Sequence, residues 1–370
     1  MTRRTVRPVP PNWFAVVMGT SIVATSTHSL PWQLPGLGAL AWTAWAAAGL
    51  ALAVAVIATV RHVLSDRGAV RAYLLDGTVA PFYGALSMGL LAYGAATLLV
   101  AGPTLGASAI AIDAVLWTVG TMVGLATAVG VPVLHFTRHE TAADSASGAW
   151  LMPVVPPMVS AATGALLLPS LDGAAAQTLS LACYAMVGAA GLASLALLPQ
   201  IWSRLAHHKL GAAAAVPTLW IVLGPLGQSV TAIGLLADHA GPALGIEPEV
   251  LRVGAVLVGV PVLGFALLWL AIAGVLTART ARSGLPFSLA WWAFTFPVGT
   301  CVTGASSLAA HTDSSALAAI AVGLFALLLG GWVVAARGTV RDLVARRAQP
   351  AVSARLSRAT QPGPRYTNAV

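Results

Sequence analysis

The side chains that could do chemistry in this chain are hydroxyls and aromatic rings, set among prolines and glycines inside long apolar runs. Residues 291–300 read Trp-Trp-Ala-Phe-Thr-Phe-Pro-Val-Gly-Thr, and residues 13–20 repeat the order of Phe, Gly and Thr. Proline and glycine leave backbone groups without partners, which a membrane tolerates only where those groups line a cavity. Freed N–H groups and helix N-termini attract anions. The pattern therefore favours an uncharged path for small anions.

A catalytic centre would need different residues. An enzyme inside a membrane requires a Ser/His pair, two aspartates or a set of metal ligands at mid-membrane depth, and the helices that carry the prolines and glycines offer none. Cys183 and Cys301 both lie inside apolar runs, which argues against a structural disulfide or a metal site. We therefore predict a protein that is not an enzyme, with no cofactor, and keep an intramembrane enzyme as a remote alternative.

Composition predicts an integral membrane protein. The 370 residues are 58% hydrophobic and 8% charged, with a mean hydropathy of +0.85, whereas about a quarter of a soluble domain is charged. Charge-free runs long enough for a span of about 20 residues recur along the chain. They predict an all-α polytopic membrane protein with ten transmembrane helices, at 12–30, 37–62, 79–100, 108–135, 149–168, 174–203, 214–237, 249–278, 287–310 and 315–337.

A period of 70 residues connects these helices. Residues on the period include Met18, Met88 and Met158, and also Gly94, Gly164, Gly234 and Gly304. Seventy residues hold two membrane helices, so the repeat predicts five parallel helical hairpins around an axis along the membrane normal. Odd helices carry the Gly, Pro, Ser and Thr and are predicted to surround a central pore of about 3 Å radius. Even helices carry Ala, Leu, Val and Trp and are predicted to lie outside, towards lipid.

The distribution of basic residues predicts the orientation. If the N-terminus is cytoplasmic, every Lys and Arg except Arg252 lies in a cytoplasmic segment, which is the positive-inside pattern. We therefore predict a plasma (inner) membrane protein with a basic cytoplasmic N-terminus 1–11, a pore domain 12–337 and a basic, disordered cytoplasmic tail 338–370. The net charge of +8 reflects this topology and contact with anionic lipid, and it does not indicate nucleic-acid binding.

The small, polar and helix-bending residues of the odd helices are the candidates for the pore wall. The predicted pore-lining residues are Phe14, Gly19, Thr20, Gly89, Gly94, Pro157, Ser160, Gly164, Gly227, Ser229, Gly234, Pro297, Gly299, Thr300 and Gly304. Close helix packing through small residues is the alternative for the glycines and prolines. His28, His239 and His311 fall at the outer ends of odd helices, either as a pH-sensitive vestibule or as scattered interfacial histidines.

Three motifs carry a resemblance to a known family. They are residues 11–20, with Pro-Asn-Trp-Phe and Met-Gly-Thr, residues 224–229, Gly-Pro-Leu-Gly-Gln-Ser, and residues 290–297, Ala-Trp-Trp-Ala-Phe-Thr-Phe-Pro. Over about 12–337 the chain resembles the tellurite-resistance/dicarboxylate transporter family, which includes voltage-dependent and slow anion channels, tellurite-resistance proteins, malate permeases and sulfite efflux pumps. It departs from many members at Ser21, which follows Thr20 where they have Gly.

The resemblance implies ten helices in five hairpins, a central pore and usually a homotrimer with one pore per subunit. It also implies a gating phenylalanine in the ninth helix, which corresponds to Phe296, with Phe294 as the second choice. Two functions are left open. One is transport of small anions, either C4-dicarboxylates such as malate or monovalent inorganic anions, and the other is efflux of sulfite or tellurium oxyanions. The expected partners are a small anionic solute and membrane lipid.

Overall fold

A computed structural model of the chain describes residues 9–142 and 144–359. Most of the predicted basic N-terminus 1–11 lies outside these residues, and so does the end of the predicted tail, 360–370. Within the described residues the chain forms helices joined by turns and contains no β-strand, which confirms the all-α prediction.

Long and shorter helices alternate along the chain. The long helices are α2 (Leu37–Ser65), α6 (Ala107–Thr137), α8 (Gly173–His208), α11 (Pro248–Arg282) and α13 (Ser315–Ala359). The shorter helices are α1 (Phe14–Ser29), α4 (Tyr83–Ala96, continued by π-helical Thr97–Ala101), α7 (Pro156–Ala165), α9 (Leu223–His239) and α12 (Phe296–Thr312). Short connecting helices are α3 (Ala69–Leu75), α5 (Gly102–Leu105) and α10 (Gly241–Leu244). The last long helix continues past 337, where the disordered tail was predicted to begin.

Seven helical stretches in the described part of the chain are long and apolar enough to cross a membrane by length and composition. Five of them belong to the long helices, and the other two are Ala80–Leu105 and Ala213–His239. The predicted spans 12–30, 149–168 and 287–310 are not among them. In each of these three, the chain forms a short 3-10 segment followed by an α-helix of only 16, 10 or 17 residues.

The shorter helices, called the inner helices here, contact one another in a closed cycle. Helix α1 contacts α4, α4 contacts α7, α7 contacts α9, α9 contacts α12, and α12 contacts α1. The apolar stretches that include α4 and α9 are 72% and 83% buried, against 22–28% for the long helices, called the outer helices here. The core of the chain therefore lies among the inner helices, and the outer helices expose apolar side chains as membrane-facing helices do.

Every inner helix is preceded by a 3-10 segment. These segments are Pro11–Trp13, Ala80–Phe82, Gly148–Leu151, Ala213–Val222 and Leu289–Phe294. Positions 11, 81, 151, 221 and 291 within them follow the 70-residue period. Pro11 is the first residue of its segment and Pro81 the second, where the missing proline N–H costs no hydrogen bond. The 70-residue repeat in the sequence therefore corresponds to a 3-10 segment that recurs before each inner helix. We call these five segments the entry segments.

Tryptophan side chains connect the outer helices to the inner ones. Indole N–H groups donate from Trp45 to Thr97 Oγ1, from Trp117 to the Ser160 carbonyl, from Trp269 to the Leu219 carbonyl and from Trp332 to Thr20 Oγ1, over 2.8–3.2 Å. Trp42 and Trp202 are instead 39% and 48% exposed. Of the tryptophans of the even helices, which were expected to face lipid, only Trp42 and Trp202 are exposed in this way. The other four turn inwards, where their buried indole N–H groups find acceptors.

Two glycines allow close backbone contact, Gly84 between the start of α4 and the residue after segment Gly148–Leu151, and Gly148 between two consecutive entry segments. A Cβ atom at Gly84 would collide with the Met152 carbonyl group, and a Cβ atom at Gly148 would collide with the Thr218 carbonyl group. A backbone carbonyl cannot turn aside as the end of a flexible side chain can, so both positions require glycine.

We expect Gly148→Ala to lower the stability of the folded protein, because the added methyl group would push two entry segments apart. Overpacking of this kind costs about 1–3 kcal/mol. Gly254→Ala is the matched control, since no atom lies within 4 Å of a Cβ atom added there. Thermal unfolding of the detergent-solubilised protein measures both variants, and equal melting temperatures would contradict the close contact.

Candidate functional site

A cavity of about 330 Å³ lies between the inner helices and reaches their C-terminal ends. Every inner helix contributes to its wall: Thr25 from α1, Ala95 from α4, Thr163 from α7, Gln228 from α9 and Phe296 from α12. Residues near the helix C-termini that line it are exposed, so the cavity opens to solvent at that end. We call it the outer cavity.

Phe296 separates the outer cavity from a much smaller one, the inner cavity, of about 20 Å³. Residues that line the inner cavity include Met18, Met88, Gly224 and Pro297. Phe296 is the residue common to both linings, and it is only 3% exposed. Its side chain therefore forms part of the wall between the two cavities.

The chain changes direction immediately before Phe296. Thr295 follows the 3-10 segment with φ −107° and ψ −79°, away from the α-helical values of about −63° and −42°, and α12 begins at the next residue. The Thr295 hydroxyl donates to the Trp292 carbonyl over 2.6 Å. This bond holds the junction that sets the position of the Phe296 ring.

Phe294, the second choice for the gate, lies in a different environment. Its ring centroid is 5.1 Å from that of Trp220 and 6.0 Å from that of Trp291. Its backbone and Cβ atom lie against Gly331 of α13. Phe294 lines neither the outer nor the inner cavity, so it is a packing residue between an entry segment and an outer helix.

Contacts between α9 and α12 order the residues of the wall by depth. The pairs in contact are Thr300 with Gly224 (3.4 Å), Thr231 with Thr303 (2.7 Å) and Asp238 with His311 (2.9 Å). Both sequence numbers rise together, so the two helices run parallel. Phe296 therefore lies at the bottom of the outer cavity, Gln228 lies further out, and the Thr231–Thr303 pair lies further out again.

The threonine hydroxyls of the wall already have acceptors within their own helices. Thr25 donates to the Ile22 carbonyl over 3.2 Å, and Thr163 donates to the Val159 carbonyl over 3.0 Å. Gln228 differs from them. It is 5% exposed and makes no hydrogen bond with any described residue. Its side-chain amide is the unpaired polar group of the outer cavity nearest to Phe296 on α9.

A group of charged and titratable side chains surrounds the mouth of the outer cavity. Asp238 lines the cavity, with its Oδ1 atom 2.9 Å from His311 Nε2 and 3.5 Å from Arg252 Nε. His28 and His239 also line it, whereas no lysine or arginine appears among the described residues of the wall. The cavity is therefore neutral inside, with a partly compensated carboxylate at its entrance.

The predicted pore-lining glycines face neighbouring helices instead of either cavity. If a Cβ atom were added to each glycine, it would contact a residue of a neighbouring segment. The pairs are Gly19 with Thr295, Gly89 with Phe14, Gly94 with Asp113, Gly164 with Cys183 and Trp117, Gly227 with Cys301, Gly234 with Ser307, Gly299 with Ile22, and Gly304 with Val230. These glycines permit close approach of helices, which is the packing alternative. In the sequence, a glycine that lines a pore and a glycine that lets two helices pack closely look the same, because glycine has no side chain whose direction could distinguish the two roles.

Most of the other predicted wall residues also pack between helices. Phe14 is buried against Gly89, Thr20 accepts the Trp332 indole N–H, the Ser160 carbonyl accepts the Trp117 indole N–H, Ser229 donates to the Leu226 carbonyl, Thr300 donates to the Pro297 carbonyl, and Pro157 is buried in the first turn of α7. None of these six lines either cavity. Of the residues predicted for the wall or the gate, Phe296 lines both cavities and Pro297 lines the inner cavity.

Sequence reasoning missed the polar residues that do line the outer cavity. On α9 these include Gln228, Thr231 and Asp238. Their spacing of three and seven residues places them on one face of a helix. The signal was therefore present as a stripe of polar side chains at helical spacing, and it was hidden by the more conspicuous glycines and prolines.

Comparison with known proteins shows that this chain is similar to transport proteins. A family model described as voltage-dependent anion channel matches residues 8–340. A sulfite efflux pump of Trichophyton rubrum is 29% identical over 312 residues, and one of Arthroderma otae is 30% identical over 313 residues, with 82% of each chain covered in both cases. An uncharacterized transporter of Methanocaldococcus jannaschii is 27% identical over 326 residues, covering 88% of this chain and 90% of that protein.

Single cysteines should react differently on the two sides of Phe296. Thr303→Cys, in the wall of the outer cavity, should be labelled by a membrane-impermeant thiol reagent added from the side of the mouth. Met88→Cys, in the inner cavity, should stay unlabelled until Phe296→Ala is added. Cys183 and Cys301 are 0% and 2% exposed, so the unmodified chain gives the background. Equal labelling rates of Thr303→Cys and Met88→Cys would contradict a barrier at Phe296.

Proposed function

Because the chain belongs to the voltage-dependent anion channel family, within the tellurite-resistance/dicarboxylate transporters, we propose that it carries small anions between its two cavities. The proposed architecture has ten membrane spans in five parallel hairpins, with a central pore inside the inner helices. The closed cycle of contacts among α1, α4, α7, α9 and α12 supports this arrangement, as does the cavity to which all five contribute. In this proposal α1, α7 and α12, each taken with its entry segment, supply the three spans beyond the seven that length and composition identify.

We propose that Phe296 is the gate. The observation that carries this proposal is that Phe296 lines both cavities and is almost fully buried between them. Its ring has room on one side only, because the outer cavity is about 330 Å³ and the inner one about 20 Å³. Movement of the ring into the outer cavity would open a path.

Charge favours singly charged substrates. The solvation energy that an ion loses on leaving water rises with the square of its charge, so a dianion loses about four times as much as a monovalent ion of the same size. No lysine or arginine among the described residues of the outer cavity would offset that loss, and Asp238 at its mouth would add repulsion. Hydrogensulfite is singly charged at mildly acidic pH, whereas malate at neutral pH is a dianion.

We therefore prefer efflux of sulfite, as singly charged hydrogensulfite, to dicarboxylate transport as the function of this chain. The curated relatives named as sulfite efflux pumps support this order. Efflux of a tellurium oxyanion stays the further alternative. The same proposal places the chain in the plasma (inner) membrane with both termini cytoplasmic, in contact with lipid and assembled as a homotrimer. Its domain limits are those predicted from the sequence, 1–11, 12–337 and 338–370.

Phe296→Ala should raise anion flux in proteoliposomes by about tenfold or more, which corresponds to a barrier lower by about 1.4 kcal/mol. Removal of the ring would join the two cavities. Phe294→Leu is the matched control and should leave flux unchanged, because Phe294 packs between Trp220 and Trp291. Chloride and nitrate flux into vesicles of both variants gives the result. A folded Phe296→Ala protein with unchanged flux would remove Phe296 from the gate.

Sulfite flux should rise as the pH is lowered from mildly alkaline to mildly acidic, because the singly charged hydrogensulfite fraction increases. Chloride flux measured in the same vesicles corrects for any effect of pH on the protein. Malate flux at neutral pH should be lower than chloride flux by about tenfold or more if the dianion's desolvation decides the barrier. Malate flux equal to or above chloride flux would reverse the order of the two proposed substrates.

A further inference from the structure

We propose that Gln228 supplies the hydrogen-bond donors that hold a singly charged anion on the outer side of the Phe296 ring. This inference rests on the anion transport proposed above, and it adds a binding residue and a basis for charge selectivity. Gln228 belongs to the wall of the outer cavity and is 5% exposed.

The unpaired state of Gln228 is the first argument. Buried side-chain amides almost always have hydrogen-bond partners, and an amide left without one loses solvation without compensation. Gln228 has no partner among the described residues. The carboxamide N–H groups are therefore free to donate to a solute that enters the cavity, and an anion accepts such bonds more strongly than a neutral solute does.

The state of the neighbouring polar groups is the second argument. The hydroxyls of Thr25 and Thr163 donate to carbonyl groups of their own helices. Thr231 lies within hydrogen-bond distance of the Gly227 and Thr300 carbonyls. The hydroxyl oxygens of Ser306 and Ser307 have no partner but are enclosed by protein. Among these groups, the Gln228 amide is the donor that an anion could use without breaking an existing bond or opening the wall.

The depth of Gln228 is the third argument. Gly227, the residue before it, lies against Thr300 and Cys301 of α12. Phe296 lies about one helical turn before Thr300. An anion bound to the Gln228 amide would therefore wait immediately outside the ring that has to move.

The charge of the site is the fourth argument. A carboxamide is neutral and compensates part of the solvation that a monovalent anion loses, but not the roughly fourfold larger loss of a dianion. Arg252, a cation at the mouth, is paired with Asp238. Gln228 would therefore accept chloride, nitrate or hydrogensulfite and discriminate against malate or the sulfite dianion.

The test uses the full chain in proteoliposomes, with chloride and malate as probes over a range of concentrations. Gln228→Met keeps the length of the side chain and removes its donors, so the chloride concentration for half-maximal flux should rise about tenfold, the ratio for a lost binding energy of about 1.4 kcal/mol. Gln228→Lys adds a positive charge, so the ratio of malate flux to chloride flux should rise. Gln200→Met, an exposed glutamine on α8, is the matched control and should behave as the unmodified chain.

The outcomes separate this inference from the function on which it rests. If the unmodified chain carries neither probe, the proposed anion transport fails. If it carries chloride but Gln228→Met has the half-saturation of Gln200→Met, the proposed binding role of Gln228 is overturned. If Gln228→Met does not fold, Gln228→Lys decides, and an unchanged ratio of malate to chloride flux in a folded Gln228→Lys protein overturns the role.

Discussion

Close backbone approach between the inner helices is the constraint on which the cavity and its closure depend. Glycine makes it possible, because a Cβ atom at Gly227 would lie 2.5 Å from the Cys301 amide nitrogen, and one at Gly304 would lie 3.1 Å from the Gly227 carbonyl oxygen. With α9 and α12 so close, the residues that point away from their contact converge on a narrow space. Phe296 is one of these, so its ring lies in the wall shared by the two cavities.

The outer helices hold this arrangement through specific bonds as well as through apolar contact. In a membrane the outer helices gain little from hydrophobic burial, because lipid is as apolar as the protein. Directional bonds such as that from the Trp117 indole to the Ser160 carbonyl, over 2.8 Å, therefore fix the position of one layer on the other. The bonded carbonyl belongs to α7, a helix of only 10 residues, which has few backbone bonds of its own to resist displacement.

The sequence predicted the helical class and the alternation of buried and exposed helices, because hydropathy and a fixed period record them directly. The 3-10 entry segments that recur with this period were not predicted and follow from the structure. The sequence ranked Phe296 before Phe294 only through the family resemblance, since the two residues differ in environment because of the bend at Thr295. Gly164 stays a predicted pore residue, although a Cβ atom added there would meet Cys183 and Trp117 of two outer helices. The polar side chains at helical spacing, Gln228 among them, are visible in the sequence, but only the folded structure shows that Gln228 has no hydrogen-bond partner among the described residues.

The unequal space on the two sides of Phe296 has a mechanical consequence. The smaller cavity, at about 20 Å³, holds about one water molecule and cannot receive a phenyl ring, whereas the larger one can. The Phe296 side chain therefore has room to move on one side only. If anions pass here as proposed, a solute arriving from the methionine-lined side meets a ring with space ahead of it, whereas one arriving from the wide side meets a ring with no space behind it. Flux would then differ between the two directions.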